Sequence, residues 1–319
     1  MAPFDLGGDP NLGSTPRLLR QLIRLRRHIG WARAQGIRRL IEEDQLDPVE
    51  RIRISIQKAK WRRSHDNRPD AVPVFLVGLQ RSGTNMLARG FDRSPEFEVR
   101  NENDHEAFER FRIRPLPVIR SIVEQSKHAY VLFKPLCDSH RACELLDELH
   151  SPSPGLVIWA YRGFEDRVRS STAKFGDSNL RALRRIASGE WKDAWQGGGL
   201  SDDRIRFLQT FDLDGMTAAS GSALFWYLRN SLVFDLKLDR RTDVALISYD
   251  SMVTQPEATM RNLCAFLNLP FRDGLVQHIQ ARGAPRDQID IDPDIRARCA
   301  SLQSALDETA RDRTADTAR

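Results

Sequence analysis

The stretch Pro73-Val-Phe-Leu-Val-Gly-Leu-Gln-Arg-Ser-Gly-Thr-Asn-Met-Leu87 decides how this chain folds. It begins as an apolar run typical of a buried strand, turns through small and polar residues, and continues as a helix-compatible segment from Gly83. A strand that leads into a helix through such a turn presents backbone N–H groups and a helix N-terminus to an anion, usually a phosphate. The sequence therefore predicts a phosphate-binding loop from Gly78 to Asn85.

The spacing from Gly78 to Gly83 matches the loop of nucleotide triphosphatases, Gly-x4-Gly-Lys-[Ser/Thr], but Thr84 stands where that motif has lysine. The cation of the loop is Arg81 instead. Such a loop still holds a phosphate, but it lacks the lysine that reaches the terminal phosphates of ATP. We interpret it as a loop for another nucleotide, in which some side chains could also cap the helix. The predicted ligand contacts are Gly78, Gln80, Arg81, Ser82, Gly83, Thr84 and Asn85.

Short apolar runs alternate with helical patterns from Val72 to about Leu269. This alternation predicts an α/β fold: a phosphate-loop-type, doubly wound parallel sheet flanked by helices. Ligands of such sheets bind beyond the carboxyl ends of the strands, which is where the phosphate loop lies. An insert, Trp191–Arg206, contains three consecutive glycines and is predicted to be a mobile loop near the ligand. The predicted strands include Val74–Gly78, Phe97–Arg100, Tyr130–Phe133, Leu156–Tyr161 and Val244–Ser248.

Three zones follow along the chain. Residues 1–70 are predicted to form a basic helical N-terminal arm, residues 71–284 the α/β domain, and residues 285–319 a C-terminal helix with a frayed tail. The arm has one predicted helix at Pro16–Glu43 and another that starts near Asp47. Its basic face could lie on an anionic membrane. The plainer alternative is a solvated face on an arm that packs against the core or against a second subunit, as in a homodimer.

Composition agrees with a soluble, cytoplasmic enzyme. No apolar run approaches the roughly 18 residues that cross a bilayer, and no segment resembles a signal peptide. The net charge of +5 suits an anionic ligand, while the basic runs lack the interleaved aromatic residues of nucleic-acid binders. We therefore expect no nucleic-acid partner, no metal and no disulfide. The cysteines, which are scattered and interpreted as reduced thiols, are Cys137, Cys143, Cys264 and Cys299.

A second group of residues points to a particular nucleotide. Arg162 follows the predicted strand Leu156–Tyr161, and Ser170 comes eight residues later. Combined with the loop, this pair resembles the sulfotransferase family, whose loop holds the 5′-phosphosulfate of 3′-phosphoadenosine 5′-phosphosulfate and whose strand-end Arg and Ser hold the 3′-phosphate. The segment from Val244 to Pro270 resembles a strand and helix of that family, so the resemblance covers roughly Pro73 to Pro270.

The resemblance implies transfer of a sulfuryl group to a hydroxyl or amine of an acceptor, which would be a small molecule, a glycan or a lipid. Two other functions stay open. A phosphate-loop kinase or nucleotide hydrolase is disfavoured because the loop lysine and a clear magnesium-binding acid are missing. The third interpretation is a nucleotide-binding protein that has lost catalysis.

The reaction needs cations where the donor bond breaks and a base where the acceptor loses its proton. Arg81 is the first candidate cation, and Lys134 matches a family lysine that follows the corresponding strand. Leu136 stands where cytosolic family members have a histidine. Other branches of the family use a glutamate as the base, and the resemblance makes Glu102 the candidate here. Glu102 follows the predicted strand Phe97–Arg100, which we expect to lie beside the phosphate-loop strand and so to bring Glu102 over the donor.

The base remains open between three residues of one acidic turn. Glu102 is the first choice, Asp104 and His105 are the alternatives, and a turn that is merely exposed is the plain interpretation. The acceptor itself cannot be read from the sequence. Its pocket has aromatic candidates that could equally be core residues: Trp191, Trp195, Trp226 and Tyr227.

Overall fold

The structure is a computed structural model, and it describes residues 48–65, 71–149, 153–190, 194–280 and 288–317. The predicted helix Pro16–Glu43 lies outside the described residues. Contacts divide the chain into two units, Met1–Trp61 and Arg62–Arg319, and the whole sheet lies in the second unit. In the first unit, the helix α1 (Pro48–Ser64) begins, and it exposes Val49, Ile52 and Ile56.

A five-stranded parallel sheet forms the centre of the second unit. Its central strand is apolar along its whole length because helices cover both faces of the sheet. The strand order is β2-β5-β1-β6-β7, and β3 and β4 form a separate two-stranded hairpin. The strands are β1 (Val72–Gly78), β2 (Phe97–Arg100), β3 (Phe108–Glu109), β4 (Arg112–Ile113), β5 (Tyr130–Phe133), β6 (Leu156–Tyr161) and β7 (Val244–Ser248).

Helices cover both faces, which confirms the predicted α/β class. Side chains of β1 alternate between two cores: Phe75 and Val77 belong to one, Val74 and Leu76 to the other. The remaining helices are α2 (Thr84–Asp92), α3 (Leu116–Gln125), α4 (Ala142–Glu148), α5 (Phe164–Phe175), α6 (Ser178–Ala187), α7 (Asp202–Leu208), α8 (Ala218–Asn230), α9 (Leu232–Asp235), α10 (Tyr249–Thr254), α11 (Pro256–Phe266) and α12 (Pro293–Thr317).

One sequence prediction about the sheet is wrong. The strand Phe97–Arg100 does not lie beside the phosphate-loop strand, because β5 is inserted between β2 and β1. The burial of the two strands explains this order. Only Phe97 is buried in β2, whereas three of the four residues of β5 are buried, so β5 takes the interior position and β2 takes the edge.

The long helix α12 occupies the stretch where the sequence predicts a helix and a frayed tail. It packs Ile295, Cys299 and Leu306 into the core. The Tyr161 hydroxyl at the end of β6 donates to Asp307 Oδ1 at 2.7 Å, which ties α12 to the sheet. Among the described residues, no helix is both long and apolar enough to span a bilayer.

Candidate active site at the ends of three neighbouring strands

The phosphate loop joins β1 to α2 through backbone that only glycine adopts easily. Gly78 and Gly83 have φ values of +122° and +83°, and Arg81 between them has φ +72°. A Cβ at Gly78 would overlap the carbonyl oxygen of Ala160 on the adjacent strand β6, and a Cβ at Gly83 would overlap the ring of Tyr249. Both glycines therefore allow a close approach as well as a turn.

Ser139 fixes the start of this loop. Its hydroxyl accepts a hydrogen bond from the Gly78 N–H at 2.9 Å and lies 3.0 Å from the Gly78 carbonyl oxygen. Ser139 belongs to a short 3₁₀ turn, Leu136–Arg141, that follows β5. No sequence pattern predicts this contact, because nothing local shows that a serine 61 residues away reaches the loop.

The N-terminus of α2 lies at the end of the phosphate loop. Gly83 is the N-cap residue, and within the described part of the chain no side-chain hydrogen bond caps the helix at this position. The Ser82 hydroxyl is buried and has no hydrogen-bond partner among the described residues. Uncapped N–H groups at a helix N-terminus, next to an unsatisfied hydroxyl, form an arrangement suited to an anion.

Arg81 and Ser170 contact each other directly. The Arg81 Nε donates to the Ser170 hydroxyl at 2.9 Å, so the loop is joined to the second turn of α5. The sequence pairs Ser170 with Arg162 instead. Arg162 lies at the end of β6, and its Nη2 forms an ion pair with Asp166 Oδ2 at 3.3 Å.

Arg162 is nevertheless a buried cation, and one of its N–H groups is available to donate a hydrogen bond to a ligand. Only 3% of the residue is exposed, its guanidinium lies 4.5 Å from the centroid of the Tyr249 ring, and its Nε has no partner among the described residues. Its carbonyl oxygen accepts from the Trp226 indole N–H at 2.9 Å. Trp226, a sequence candidate for the acceptor pocket, is therefore a core residue that positions Arg162.

Lys134 connects the loop with the acidic turn. Its Nζ donates to Asn85 Oδ1 at 2.6 Å and lies 3.4 Å from Glu102 Oε2. Burial raises the pKa of the Glu102 carboxyl, Lys134 lowers it, and the nearby Asp138 carboxylate raises it further, with a net upward shift. Glu102 is thus a largely buried carboxyl beside a cation, which is an environment typical of acid–base groups.

The other two candidate bases have different surroundings. Asp104 accepts hydrogen bonds from the backbone N–H groups of Glu106 and Ala107 and from Arg100, so it stabilises the turn. His105 is exposed. Of the three candidates, Glu102 is therefore the one whose contacts include Lys134.

Several further residues support the site from neighbouring elements. Asp250, at the start of α10, accepts from the Gly163 N–H at 2.7 Å and so caps the turn that carries Arg162. Arg167 is buried on α5 and contacts the Gln80 carbonyl oxygen. Trp195 lies under the Arg229 guanidinium, Tyr227 lies near Arg204, and Trp191 is outside the described residues. Within the described part of the chain, no three metal-ligating side chains cluster.

Comparison with known proteins identifies the family to which this chain belongs. A family model described as the sulfotransferase domain matches residues 72–283, which is more than half of the chain. The chain therefore belongs to the sulfotransferase domain family, and the protein is a sulfotransferase. The match covers the phosphate loop, Glu102, Lys134, Arg162 and Ser170.

Solved structures to which the chain is similar include three sulfotransferases. The sulfotransferase from Alicyclobacillus acidocaldarius is 16% identical over 79% of this chain and 99% of that chain, with a TM-score of 0.42. The sulfotransferase domain from the curacin biosynthetic pathway is 12% identical over 76% and 99%, with a TM-score of 0.41. Mouse sulfotransferase SULT7A1, complexed with PAP, is 15% identical over 68% and 64%, with a TM-score of 0.33. No curated protein sequence matches this chain.

Proposed function

We propose that this sulfotransferase uses 3′-phosphoadenosine 5′-phosphosulfate as donor and sulfates a hydroxyl or amine of a small molecule, a glycan or a lipid. One observation carries the choice of donor. Gly78 and Ala160 are register partners on β1 and β6, so the phosphate loop and Arg162 leave the same edge of the sheet from adjacent strands. A nucleotide with phosphates at both its 5′ and 3′ positions matches two such sites.

The described residues fit this donor. The Ser82 hydroxyl and the Arg162 Nε are buried donors without protein partners among the described residues, and buried polar groups normally have partners. Phosphate oxygens would provide acceptors for both groups. In this proposal the loop and Ser82 hold the 5′ end, and Arg162 with Ser170 holds the 3′-phosphate.

The donor supplies a sulfuryl group on a phosphate oxygen, and negative charge grows on that oxygen as the bond breaks. Arg81 and the N–H groups at the start of α2 are the donors available to stabilise this charge. Lys134 is bonded to Asn85 in the same loop, which makes it the second cation of the donor end. These side chains are fixed before the reaction, so little reorganisation is required of them.

At the acceptor end, Glu102 takes the proton of the attacking hydroxyl or amine. Its 3.4 Å contact with Lys134 keeps it beside the donor loop despite the intervening position of β5. The same contact favours the ionised carboxyl that a base requires. In this proposal Lys134 thus has two roles: it is a cation at the donor end, and it keeps Glu102 ionised at the acceptor end.

Titration calorimetry tests the donor. We expect adenosine 3′,5′-bisphosphate to bind far more tightly than ATP or ADP, and the Arg162→Ala variant to bind it more weakly because a charge-assisted contact is lost. Arg169→Ala is a matched control, since Arg169 also pairs with Asp166. Equal ATP affinity that depends on magnesium would instead support a phosphate-loop kinase or hydrolase.

Mass spectrometry of a metabolite extract, incubated with the enzyme and the sulfate donor, tests the transfer and the acceptor class. A product heavier by one sulfuryl group identifies the acceptor. Tight binding of the bisphosphate with no sulfated product from any acceptor class would support an inactive nucleotide-binding protein. A cytoplasmic location, a homodimer and membrane contact through the basic arm stay predictions from the sequence.

A further inference from the structure

Arg167 is a fully buried arginine that contacts the phosphate loop from the protein interior. It lies on α5, between Arg162 and Ser170 in the sequence, and only 1% of the residue is exposed. Its Nε donates to the Gln80 carbonyl oxygen at 3.4 Å. Its Nη1 donates to the Ser222 hydroxyl at 3.0 Å and lies 3.3 Å from the Ser222 carbonyl oxygen.

No carboxylate of the described residues forms an ion pair with Arg167. Its acceptors are neutral, and the Ser222 hydroxyl also accepts from the Asn179 amide at 3.0 Å. The charge that acts on it is another cation: burial, and then Arg81, lowers the pKa of Arg167 to about 9. Taking a charge out of water without a counter-charge is unfavourable, so we expect this arginine to lower the stability of the free protein.

We propose that Arg167 is a positioning residue whose counter-charge is the anionic donor, so that its buried cation strengthens donor binding while it lowers the stability of the free protein. The inference rests on the proposed function, because the donor supplies the anion. One hydrogen bond connects Arg167 with the loop, at the Gln80 carbonyl oxygen, and the positive charge of Arg81 in the same loop lowers the pKa of Arg167. The electric field of a charge is screened less in a buried site than in water, so it acts over a longer distance there.

A purely structural role makes the opposite prediction. If Arg167 only bonded α5 to the loop and to α8, its replacement by methionine would lower the melting temperature and leave ligand affinity unchanged. In our proposal, Arg167→Met leaves the melting temperature of the free protein unchanged or raises it, because an unpaired buried charge is removed. The same variant binds the donor analogue about tenfold more weakly or worse.

The experiment measures melting temperature by calorimetry and Kd by titration, using adenosine 3′,5′-bisphosphate and, separately, inorganic pyrophosphate. Arg167→Lys, which keeps the charge, should retain most of the affinity, and Arg167→Gln, which keeps only hydrogen bonding, should lose it. Arg229→Met is the matched control. Arg229 is likewise buried and donates to the backbone carbonyls of Gln196 and Gly198, outside the loop, so its loss should leave both Kd values within about twofold.

Wild-type affinity in Arg167→Gln or Arg167→Met would overturn the inference, as would a loss of equal size in Arg229→Met. If wild type binds pyrophosphate in an Arg167-dependent way but ignores the bisphosphate, the inference stands and the proposed donor falls. If wild type binds neither probe, both fall. Should Arg167→Met fail to fold, its structural role is established and the inference is again overturned, unless Arg167→Gln folds and loses affinity.

Discussion

Glu102 must be ionised to accept a proton, and its surroundings act in opposite directions. Burial raises the pKa of its carboxyl above the ordinary value of 4.5, and Lys134 limits that rise. A raised pKa means that the carboxyl is protonated, and useless as a base, at a pH where an exposed glutamate is still ionised. The rate should therefore fall as the pH decreases through a value above 4.5.

The first prediction is that Glu102→Gln lowers kcat about 10²–10⁴-fold and leaves the Kd of adenosine 3′,5′-bisphosphate nearly unchanged, because a base acts only once the proton moves. It should also abolish the acidic limb of the pH–rate profile. Steady-state kinetics across pH, paired with calorimetry, measures both effects. His105→Gln, in the same turn but exposed, is the control and should keep full activity. A fully active Glu102→Gln would transfer the role to Asp104, His105 or solvent.

Arg81 combines an unusual backbone with a fixed side chain, since its φ is +72° and its Nε is bonded to Ser170. Strain of this kind, when retained, suggests that the position of the side chain matters. We predict that Arg81→Ala costs about 10²–10³-fold in kcat but less in donor affinity, because the lost contact strengthens as charge develops. Arg81→Lys should rescue part of the rate, since a point charge replaces a planar fork.

Ser170→Ala is the matched variant for this prediction. It removes the partner of the Arg81 Nε and leaves the cation in place. As a proposed 3′-phosphate ligand, Ser170 should affect donor Kd more than kcat, which is the reverse of Arg81. Normal turnover of Arg81→Ala with saturating donor would leave Lys134 to carry the leaving-group charge.

At the scale of elements, the unit from β1 through the loop to α2 was predictable because all its determinants are local. An apolar run, two glycines and a helix pattern occur within 15 residues of sequence. The order of the strands was not predictable in the same way. The position of β2 depends on which strand is buried on both sides, and that is decided by β5, more than 20 residues away.

The same limit applies to side chains that support the site from other elements. Ser139, Tyr249 and Arg167 reach the loop from a 3₁₀ turn, from α10 and from α5, and none has a motif. The insert that was predicted to be a mobile loop contains the start of α7, whose acidic first turn and Ser201 cap were readable signals. Features set by neighbouring residues, such as the helix cap, can thus be predicted from the sequence, whereas contacts between distant elements are seen only in the structure.

Gly83 supplies a prediction at this scale because two elements meet there. A Cβ at Gly83 would displace the Tyr249 ring, and that ring supports the Arg162 guanidinium. We expect Gly83→Ala to destabilise the protein by about 2–5 kcal/mol, as strain and overpacking combine, and to weaken bisphosphate binding. Gly189 has nearly the same φ, +82°, but a Cβ added there would meet no atom of the described residues within 4 Å.

Gly189→Ala is therefore the control that isolates the close approach. It should cost only the backbone strain, about 1–2 kcal/mol, and leave the Kd unchanged. Denaturant unfolding gives the stabilities and calorimetry the affinities. Equal effects of the two substitutions on binding would show that the contact between Gly83 and Tyr249 does not support the site.

At the scale of the whole molecule, the site residues and the sheet all lie between residues 72 and 283, the range that the family model matches. The two segments outside that range, the arm and the C-terminal helix α12, differ in what they contribute to the site and the core. The helix α12 contributes buried side chains to the core, and its Gln303 amide oxygen accepts from the Phe164 N–H at 3.1 Å, at the start of the helix that carries Ser170. The arm contributes none of the proposed site residues.

The last prediction compares two truncations. The first truncation deletes residues 1–64 and so removes the arm through the end of α1. It should leave the Kd for the bisphosphate within about threefold of wild type, because the contacts described for the loop, Lys134 and Arg162 are with residues of the second unit. Deleting residues from Pro293 onward should lower the free energy of unfolding by at least about 3–6 kcal/mol. Each fully buried aliphatic side chain contributes about 1.5–3 kcal/mol against a total stability of roughly 5–15 kcal/mol, and Ile295 and Leu306 are both buried. Circular dichroism and calorimetry on both products measure the difference. Lost affinity in a folded protein without the arm would place part of the donor site in residues 1–64.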